Sequence, residues 1–358
     1  MKLAIVIGTR PEIIKMAPII KECIRSDTDY FIIHTGQHYS FEMDRIFFDQ
    51  ISLPEPDYKL EVGSDTHAAQ TAKIMMRAEE VIRKSRPDFV LVEGDTNTVL
   101  ASAIAATKLH VKVGHLEAGL RSHDKTMPEE INRILTDHCS DILFAPTEYN
   151  RRTLHKERLP PENIFVTGNT IVDALHQNLE ISKHRSDILE KLGLYQNDYF
   201  LVTLHRQENV DNPKRFKNII SALELLPERF NSPVIYPIHP RSEKMLHEFN
   251  ITFRNIKFTG PLDYFSFLQL EKNAKLILTD SGGVQEEACI MKVPCVTLRD
   301  NTERQETIEI GANTIAGTTP AKISRSVETM LAKSRTWCNP FGDGRASSKI
   351  LRILNNFN

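Results

Sequence analysis

The sequence predicts an α/β protein with two doubly wound parallel sheets. Two observations lead to this class: short β-branched runs alternate with amphipathic stretches of helix length, and most of these runs are apolar throughout. A strand that is apolar throughout is buried on both faces, which is typical of a parallel sheet covered by helices. A chain of 358 residues is long enough for two such domains.

Strand candidates are distributed evenly between the two halves of the chain. In the first half they are residues 3–7, 30–34, 89–93, 111–116, 142–145 and 164–167. In the second half they are residues 199–204, 234–238, 256–258, 276–279, 295–298 and 314–316. We expect an N-terminal domain at 1–172 and a C-terminal domain at 173–358, with the last helix a candidate to pack back on the N-terminal domain.

Composition excludes several other classes of protein. Lys and Arg number 45 and Asp and Glu 47, so the chain lacks the basic excess of a nucleic-acid binder. Hydrophobic residues at 41% and charged residues at 26% are typical of a globular protein, which excludes a disordered chain. No run approaches the roughly 18 apolar residues of a membrane span. Five widely spaced cysteines without a Cys-x-x-Cys pair indicate neither a zinc site nor a disulfide framework and favour the cytoplasm.

Residues at the carboxyl ends of the strands carry the candidate chemistry, because open parallel sheets bind ligands at that edge. The first strand ends in GTRPE, and a helix follows. Arg10 and Lys15 near the start of this helix oppose its dipole unless an anion neutralises them. This motif alone fits an anion site and a solvated basic turn equally well.

Three carboxylates follow in the first half, namely Asp95 in GDTNT, Glu117 in EAGLRS and Glu129 in PEEINR. If they converge from neighbouring loops they raise one another's pKa, so that a general acid and a general base can coexist. Taken singly, each also fits a structural role: Glu129 as a helix-start charge, for example, and Glu117 as an ion-pair partner of Arg121.

The second half carries groups that suit a diphosphate. His205 follows a strand, where it fits an acid–base or phosphate-contact role. The strand at 276–279 runs into Ser-Gly-Gly and a helix, whose free N–H groups suit a diphosphate. Glu287 could accept two ribose hydroxyls, and Arg304 adds positive charge. The sequence lacks both the dinucleotide and the ATPase glycine loops. Basic and N–H groups from both halves, with carboxylates between them, describe a site for a diphosphate-linked substrate whose reacting part carries hydroxyls, and a nucleotide-sugar is the simplest such molecule.

Seven motifs follow one order along nearly the whole chain: GTRPE, GDTNT, EAGLRS, PEEINR, HRQEN, DSGGVQEEA and TERQE. In these motifs the chain resembles the non-hydrolysing UDP-N-acetylglucosamine 2-epimerase family. The resemblance implies a glycosyltransferase-B-like fold of two Rossmann-like domains that face a central cleft, a homodimer, and no metal or other cofactor. It also implies an isomerase of polysaccharide biosynthesis that interconverts UDP-N-acetylglucosamine and UDP-N-acetylmannosamine.

The resemblance further implies a mechanism. UDP leaves by anti-elimination with loss of the proton at sugar carbon 2, and 2-acetamidoglucal forms. UDP then adds back while carbon 2 is protonated on its opposite face. Because the carbon 2 proton is not adjacent to a carbonyl, the site must stabilise the departing diphosphate.

The resemblance assigns roles residue by residue. Asp95, Glu117, Glu129 and His205 match catalytic positions, and the choice of acid and base among the carboxylates stays open. Phe267 matches an aromatic side chain near the uracil, with core packing as its alternative. The remaining substrate-binding positions are matched by Arg10, Lys15, Ser281, Gly282, Gly283, Glu287 and Arg304.

A second nucleotide-sugar activates many bacterial members of that family. Gln37 and His38 match the loop used there, and Arg206 matches a further contact. Ser40 stands where those members carry Gln, so the chain departs from the bacterial pattern at this position. A lag with UDP-N-acetylmannosamine as sole substrate, relieved by traces of its epimer, would reveal activation.

Three other functions fit the same architecture. A glycosyltransferase would share the Ser-Gly-Gly loop but need an acceptor, and would have less need of three acids. A hydrolysing epimerase would release free N-acetylmannosamine. A non-catalytic nucleotide-sugar sensor is disfavoured, because binding alone would not favour burial of several carboxylates near a diphosphate.

Overall fold

A computed structural model of the chain describes residues 1–37, 41–238 and 240–357. Its backbone contacts divide the chain into two compact units. The first comprises Met1–His176 together with Phe341–Asn358, and the second comprises Gln177–Pro340. The predicted boundary at 172 and 173 lies just before this division, and the C-terminal segment belongs to the first unit.

Local contacts explain why the C-terminal segment joins the first unit. The Asp173 carboxylate accepts hydrogen bonds from the N–H groups of Ala346 at 3.1 Å and Ser347 at 3.0 Å. It therefore binds the free N–H groups that open the last helix, which packs on the first helix of the chain.

The described part of the first unit contains a seven-stranded parallel sheet in the order β3-β2-β1-β4-β5-β6-β7. Its strands are β1 (Lys2–Ile7), β2 (Asp29–His34), β3 (Tyr58–Lys59), β4 (Phe89–Glu93), β5 (Lys112–Leu116), β6 (Ile142–Ala145) and β7 (Ile164–Val166). Its helices are α1 (Arg10–Arg25), α2 (Phe41–Gln50), α3 (His67–Ser85), α4 (Asn97–Lys108), α5 (Pro128–Cys139), α6 (Glu148–Lys156) and α16 (Ala346–Asn356), with a 3-10 turn at Pro161–Asn163. Helix α7 (Thr170–Arg185) begins in this unit and ends in the second.

The described part of the second unit contains a six-stranded parallel sheet in the order β10-β9-β8-β11-β12-β13. Its strands are β8 (Phe200–Thr203), β9 (Val234–Pro237), β10 (Ile256–Thr259), β11 (Leu276–Thr279), β12 (Cys295–Thr297) and β13 (Asn313–Ile315). Its helices are α8 (Ile188–Leu192), α9 (Gln207–Val210), α10 (Pro213–Phe230), α11 (Pro240–Glu248), α12 (Tyr264–Asn273), α13 (Gly282–Ile290), α14 (Gln305–Glu309) and α15 (Pro320–Ala332).

The two parallel sheets confirm the predicted fold class. Each predicted strand is present, with ends that differ from the prediction by at most one residue. The apolar runs are buried as expected: every residue of β4 and of β11 is buried. Strand β3 was missed, because it is a two-residue edge strand with a half-buried Tyr58 and an exposed Lys59.

Strand order reverses between β1 and β4 in the first sheet and between β8 and β11 in the second. At such a switch point the loops that follow the two strands diverge and leave a crevice beyond their carboxyl ends. The reversal therefore brings the loop at Gly8 beside the loop at Asp95, and His205 beside Asp280.

None of the helices in the described residues is both long and apolar enough to cross a lipid bilayer. The cysteines Cys23, Cys139, Cys289, Cys295 and Cys338 are free thiols.

Candidate functional site

Glu12 ties together the two loops at the switch point of the first sheet. Its carboxylate accepts hydrogen bonds from Gly8 N at 2.5 Å, from Thr9 N at 3.2 Å and from Thr96 Oγ1 at 2.5 Å. Burial raises the pKa of Glu12 to about 7, although the three donors oppose the shift. Glu12 therefore holds the start of α1 against the loop that carries Asp95.

Lys15 lies inside a cluster of carboxyl groups. Its Nζ lies 2.5 Å from Oε1 of Glu117 and 3.1 Å from Oε1 of Glu93. Arg10 lies nearer the surface, with its side chain 39% exposed and its Nε 3.2 Å from Oδ1 of Asp44. Arg10 and Lys15 thus differ: Lys15 neutralises buried carboxylates, whereas Arg10 is accessible to a ligand.

Glu117 occupies an unusual backbone conformation at the end of β5. Its φ of 68° lies in the left-handed region, which a residue with a side chain adopts at a cost. Its Oε1 accepts hydrogen bonds from Lys15 Nζ and from Asn169 Nδ2 at 2.8 Å. The suggested pair with Arg121 is wrong, because Arg121 binds Asp137 and Glu157 instead.

Asp95 forms an ion pair with Nη2 of Arg133, and its side chain is 29% exposed. Its backbone carbonyl accepts a hydrogen bond from Asn132 Nδ2 at 2.9 Å. Both donors belong to the PEEINR motif, so α5 fixes the loop that carries this carboxylate.

The two glutamates of PEEINR have different environments. Glu130 is buried and accepts hydrogen bonds from Ser122 N at 2.9 Å, His123 N at 2.9 Å and Arg133 Nη1 at 2.9 Å. Glu130 thus holds the EAGLRS loop in place. Glu129 is partly exposed in the first turn of α5, where a ligand can reach it.

His115 connects β5 to the loop before Asp95. Its Nδ1 lies 2.7 Å from Oδ1 of Asp137, and its Nε2 lies 2.9 Å from the Gly94 carbonyl oxygen. A carbonyl oxygen only accepts, so Nε2 carries the hydrogen and donates it. Burial alone would raise the pKa of Asp137, but His115 and Arg121 outweigh burial and lower it. His115 thereby anchors the turn at Gly94, whose φ is 88°.

Asp280 orients His205 in the second unit. The buried Asp280 carboxylate lies 3.1 Å from Nδ1 of His205 and accepts hydrogen bonds from His205 N, Arg206 N and Asn209 Nδ2. Burial alone would raise the pKa of Asp280, but these partners, with His205 foremost, lower it. An ionised Asp280 favours the tautomer with a hydrogen on Nδ1, which leaves Nε2 of His205 to meet a ligand.

The Ser-Gly-Gly segment opens α13. Ser281 is the N-cap, and its side chain accepts a hydrogen bond from Val284 N. A Cβ at Gly282 would lie 2.2 Å from Oε1 of Glu303, so any larger residue here would displace that carboxylate. Arg304 is buried, with its Nε 2.9 Å from Oε1 of Glu286.

Phe267 and Glu287 lie on neighbouring helices of the second unit. Phe267 on α12 is only partly buried, whereas the adjacent Phe265 is fully buried. Core packing therefore accounts for Phe265 better than for Phe267. Glu287 on α13 lies close enough to Glu271 on α12 that its charge, added to the larger effect of burial, raises the pKa of Glu271.

A family model described as UDP-N-acetylglucosamine 2-epimerase matches residues 21–355. A Methanocaldococcus jannaschii UDP-N-acetylglucosamine 2-epimerase is 54% identical, over 99% of this chain and 99% of that protein. The chain belongs to the UDP-N-acetylglucosamine 2-epimerase family.

One solved structure and one further relative indicate which nucleotide-sugars occur with proteins similar to this chain. A crystal structure of the M. jannaschii enzyme in complex with UDP-GlcNAc and UDP has a TM-score of 0.94 and 53% identity, and covers 99% of this chain and 100% of that one. A Pseudomonas aeruginosa UDP-2,3-diacetamido-2,3-dideoxy-D-glucuronate 2-epimerase is 40% identical over 99% of this chain and 99% of that protein.

The proposed allosteric contacts of this epimerase family member stay predictions. Gln37 Oε1 accepts hydrogen bonds from Thr98 N at 2.8 Å and Thr98 Oγ1 at 2.7 Å. Arg206 Nη2 lies 3.7 Å from Oε1 of Glu303. His38 and Ser40 lie outside the described residues. No three His, Cys, Asp or Glu side chains in the described residues are grouped so that they could hold a metal ion.

Sequence reasoning missed the residues that position the candidates. Glu12, Glu93, Arg133 and Asp280 each contact a predicted site residue or its loop. Arg133 lies in PEEINR, Asp280 lies in DSGGVQEEA, and Glu12 is the last residue of GTRPE. Their place in these motifs is the signal that could have identified them. Glu93 directly precedes GDTNT but carries no signal beyond its place at a strand end.

We expect Asp280→Asn to change the tautomer of His205. The amide side chain has one oxygen in place of the two carboxylate oxygens. The His205 tautomer with a hydrogen on Nδ1 is therefore no longer favoured. Nitrogen NMR of histidine-labelled chain should show a hydrogen on Nδ1 of His205 before the substitution and a larger share on Nε2 after it. Asp343→Asn, at an exposed ion pair with Lys349, is the control and should leave His205 unchanged. An unchanged tautomer in Asp280→Asn would contradict the assignment.

Proposed function

We propose that the chain interconverts UDP-N-acetylglucosamine and UDP-N-acetylmannosamine. The observation that carries this proposal is its full-length similarity to the M. jannaschii enzyme whose structure holds UDP-GlcNAc and UDP. The carboxylates at the switch point of the first sheet support it, because epimerisation needs one group to remove a proton and another to return one.

The chemistry of sugar carbon 2 dictates the mechanism. Its proton is weakly acidic, so the bond between carbon 1 and the diphosphate oxygen must break as the proton leaves. The electron pair of that bond departs with UDP, the electrons of the C–H bond form a double bond between carbons 1 and 2, and 2-acetamidoglucal results. Re-addition of UDP with protonation of the other face of carbon 2 completes the inversion.

The first unit supplies the acid–base groups in this proposal. Asp95, Glu117 and Glu129 are its carboxylates, and two of them take and return the carbon 2 proton. Ion pairs with Arg133 and Lys15 fix Asp95 and Glu117. Such fixed groups typically contribute about 10²- to 10⁴-fold each to a rate.

The second unit supplies the diphosphate site in this proposal. The N–H groups at the start of α13 and the Arg304 guanidinium bind the phosphates, Glu287 binds the ribose and Phe267 contacts the uracil. His205, oriented by Asp280, stabilises the charge on the departing phosphate. These groups bind and stabilise the departing UDP, while the carboxylates of the first unit transfer the carbon 2 proton.

Solvent deuterium provides the test of the proposed reaction. With UDP-N-acetylglucosamine in D2O, proton NMR should show UDP-N-acetylmannosamine with deuterium at carbon 2, because the acid that protonates carbon 2 exchanges with solvent. No deuterium at carbon 2 would refute the proposal. Free N-acetylmannosamine as main product would indicate a hydrolysing epimerase, and a strict need for an acceptor would indicate a transferase.

Substrate choice is tested in the same assay. UDP-2,3-diacetamido-2,3-dideoxy-D-glucuronate is the matched competitor, since the P. aeruginosa relative is named for it. We expect kcat/KM to be higher for UDP-N-acetylglucosamine. A higher kcat/KM for the diacetamido-glucuronate would make that sugar the proposed substrate instead.

We expect Asp95→Asn and Glu117→Gln each to lower turnover at least about 10²-fold and to leave UDP binding largely intact, because each removes a proton-transfer group and little volume. Steady-state kinetics and calorimetric titration with UDP measure the two effects. Glu162→Gln, exposed in the 3-10 turn before β7, is the control and should retain full turnover. Near-normal turnover in both variants would reject the acid–base assignment.

We also propose that the chain is a homodimer. Apolar side chains on α3 and α5 support this proposal, because Met76, Ile131 and Leu135 are 66%, 46% and 44% exposed in the single chain. Sedimentation equilibrium should give twice the 40.9 kDa of one chain, and a monomer mass would refute the proposal.

A further inference from the structure

Glu93 is a buried carboxyl group to which the proposed reaction gives no role. It is the last residue of β4, and its side chain is 2% exposed. Its Oε1 lies 3.1 Å from Lys15 Nζ, and the same Nζ lies 2.5 Å from Oε1 of Glu117. One ammonium group therefore bridges Glu93 and a proposed acid–base residue.

The charges in this cluster do not balance when every group is ionised. Glu12, Glu93 and Glu117 would contribute three negative charges and Lys15 one positive charge, which leaves a net charge of about −2 in a buried place. Burial raises the pKa of Glu93 well above its usual range, Lys15 opposes the shift, and the charges of Glu117 and Glu12 add to it. Glu93 therefore keeps its proton at a pH where an exposed glutamate has lost it.

The charged groups that face Glu93 come from two directions. Helix α1 presents Lys15 and Glu12, and the end of β5 presents Glu117. His115 on β5 directs its ring nitrogens to Asp137 and the Gly94 carbonyl. The other charged residues of β1, β5 and α4 lie at the opposite edge of the sheet, namely Lys2, Lys112 and Lys108.

Glu117 depends on its side-chain contacts for its position. Its left-handed backbone conformation is unfavourable for a residue with a Cβ, so surrounding contacts must maintain it. Lys15 and Asn169 supply hydrogen bonds to its carboxylate. A change in the position of Lys15 therefore moves Glu117.

We propose that Glu93 is a positioning residue that holds Glu117 in place through Lys15 and sets the upper end of the pH range in which Glu117 works. This inference rests on the proposed function of Glu117. While Glu93 is protonated its carboxyl group is neutral, and the Lys15 ammonium group pairs with the Glu117 carboxylate. When Glu93 ionises, it draws that group away from Glu117, and turnover falls.

Glu93→Gln tests this inference through the pH profile. Glutamine keeps the size and a neutral carbonyl beside Lys15 but cannot ionise. We expect the ratio of its kcat to that of the unsubstituted chain to rise about 3-fold or more as pH rises through the range in which Glu93 loses its proton. Glu162→Gln is the exposed control, and its ratio should not vary with pH.

Two kinetic outcomes would overturn the inference. A ratio for Glu93→Gln that does not vary with pH would show that ionisation of Glu93 does not affect Glu117. A loss of about 10²-fold at every pH would make Glu93 an acid–base residue in its own right.

Thermal unfolding gives a second readout that does not depend on turnover. The folded chain holds the Glu93 proton above the ordinary pKa of 4.5, so the native state binds more protons than the unfolded state there. This contribution to the free energy of unfolding therefore falls as pH rises from about 4.5 towards the raised pKa of Glu93. The Tm of Glu93→Gln relative to the unsubstituted chain should rise with pH.

The two readouts separate failure of this inference from failure of the proposed function. A Tm difference that is constant with pH would overturn the inference even in an active epimerase. The expected Tm trend in a chain that never exchanges the carbon 2 proton would overturn the proposed function, and with it the role given to Glu117.

Discussion

The contact between Lys15 and two carboxylates is the interaction on which the candidate site depends. Parallel pairing aligns Glu93 at the end of β4 with Leu116 at the end of β5, so Glu93 lies beside Glu117, the first residue after β5. Buried carboxylates repel each other and lose hydration, and a single ammonium group between them offsets part of that cost. Without Lys15 the strand ends would carry uncompensated charge at the point where the backbone of Glu117 is already strained.

The second unit also buries a carboxylate at the end of a strand but stabilises it differently. Asp280 follows β11 as Glu93 ends β4, and it too is fully buried. Backbone N–H groups, Asn209 and His205 surround this carboxylate, so it is stabilised as an anion rather than kept protonated. In the first unit, Glu93 at a strand end therefore keeps its proton. In the second unit, Asp280 is ionised and orients the His205 imidazole.

Much of the fold follows from local sequence, whereas the contacts of the site do not. Apolar runs gave the strands, because a strand buried on both faces contains few polar residues. The strand-end rule also brought Asp95, Glu117 and His205 to the correct edges. It could not show that Lys15 contacts a glutamate 102 residues away, or that Arg121 contacts Asp137 rather than Glu117. Such pairs depend on how separate loops pack, and sequence spacing does not encode that packing.

The central claim is that UDP departs and returns while the sugar stays bound. UDP-N-acetylglucosamine with ¹⁸O in the bridge between carbon 1 and the β-phosphorus tests this most directly. If the bond breaks, the freed β-phosphate can rotate, and phosphorus NMR of the recovered substrate should show ¹⁸O in the non-bridging positions. Retention of all the ¹⁸O in the bridge while carbon 2 epimerises would contradict the account.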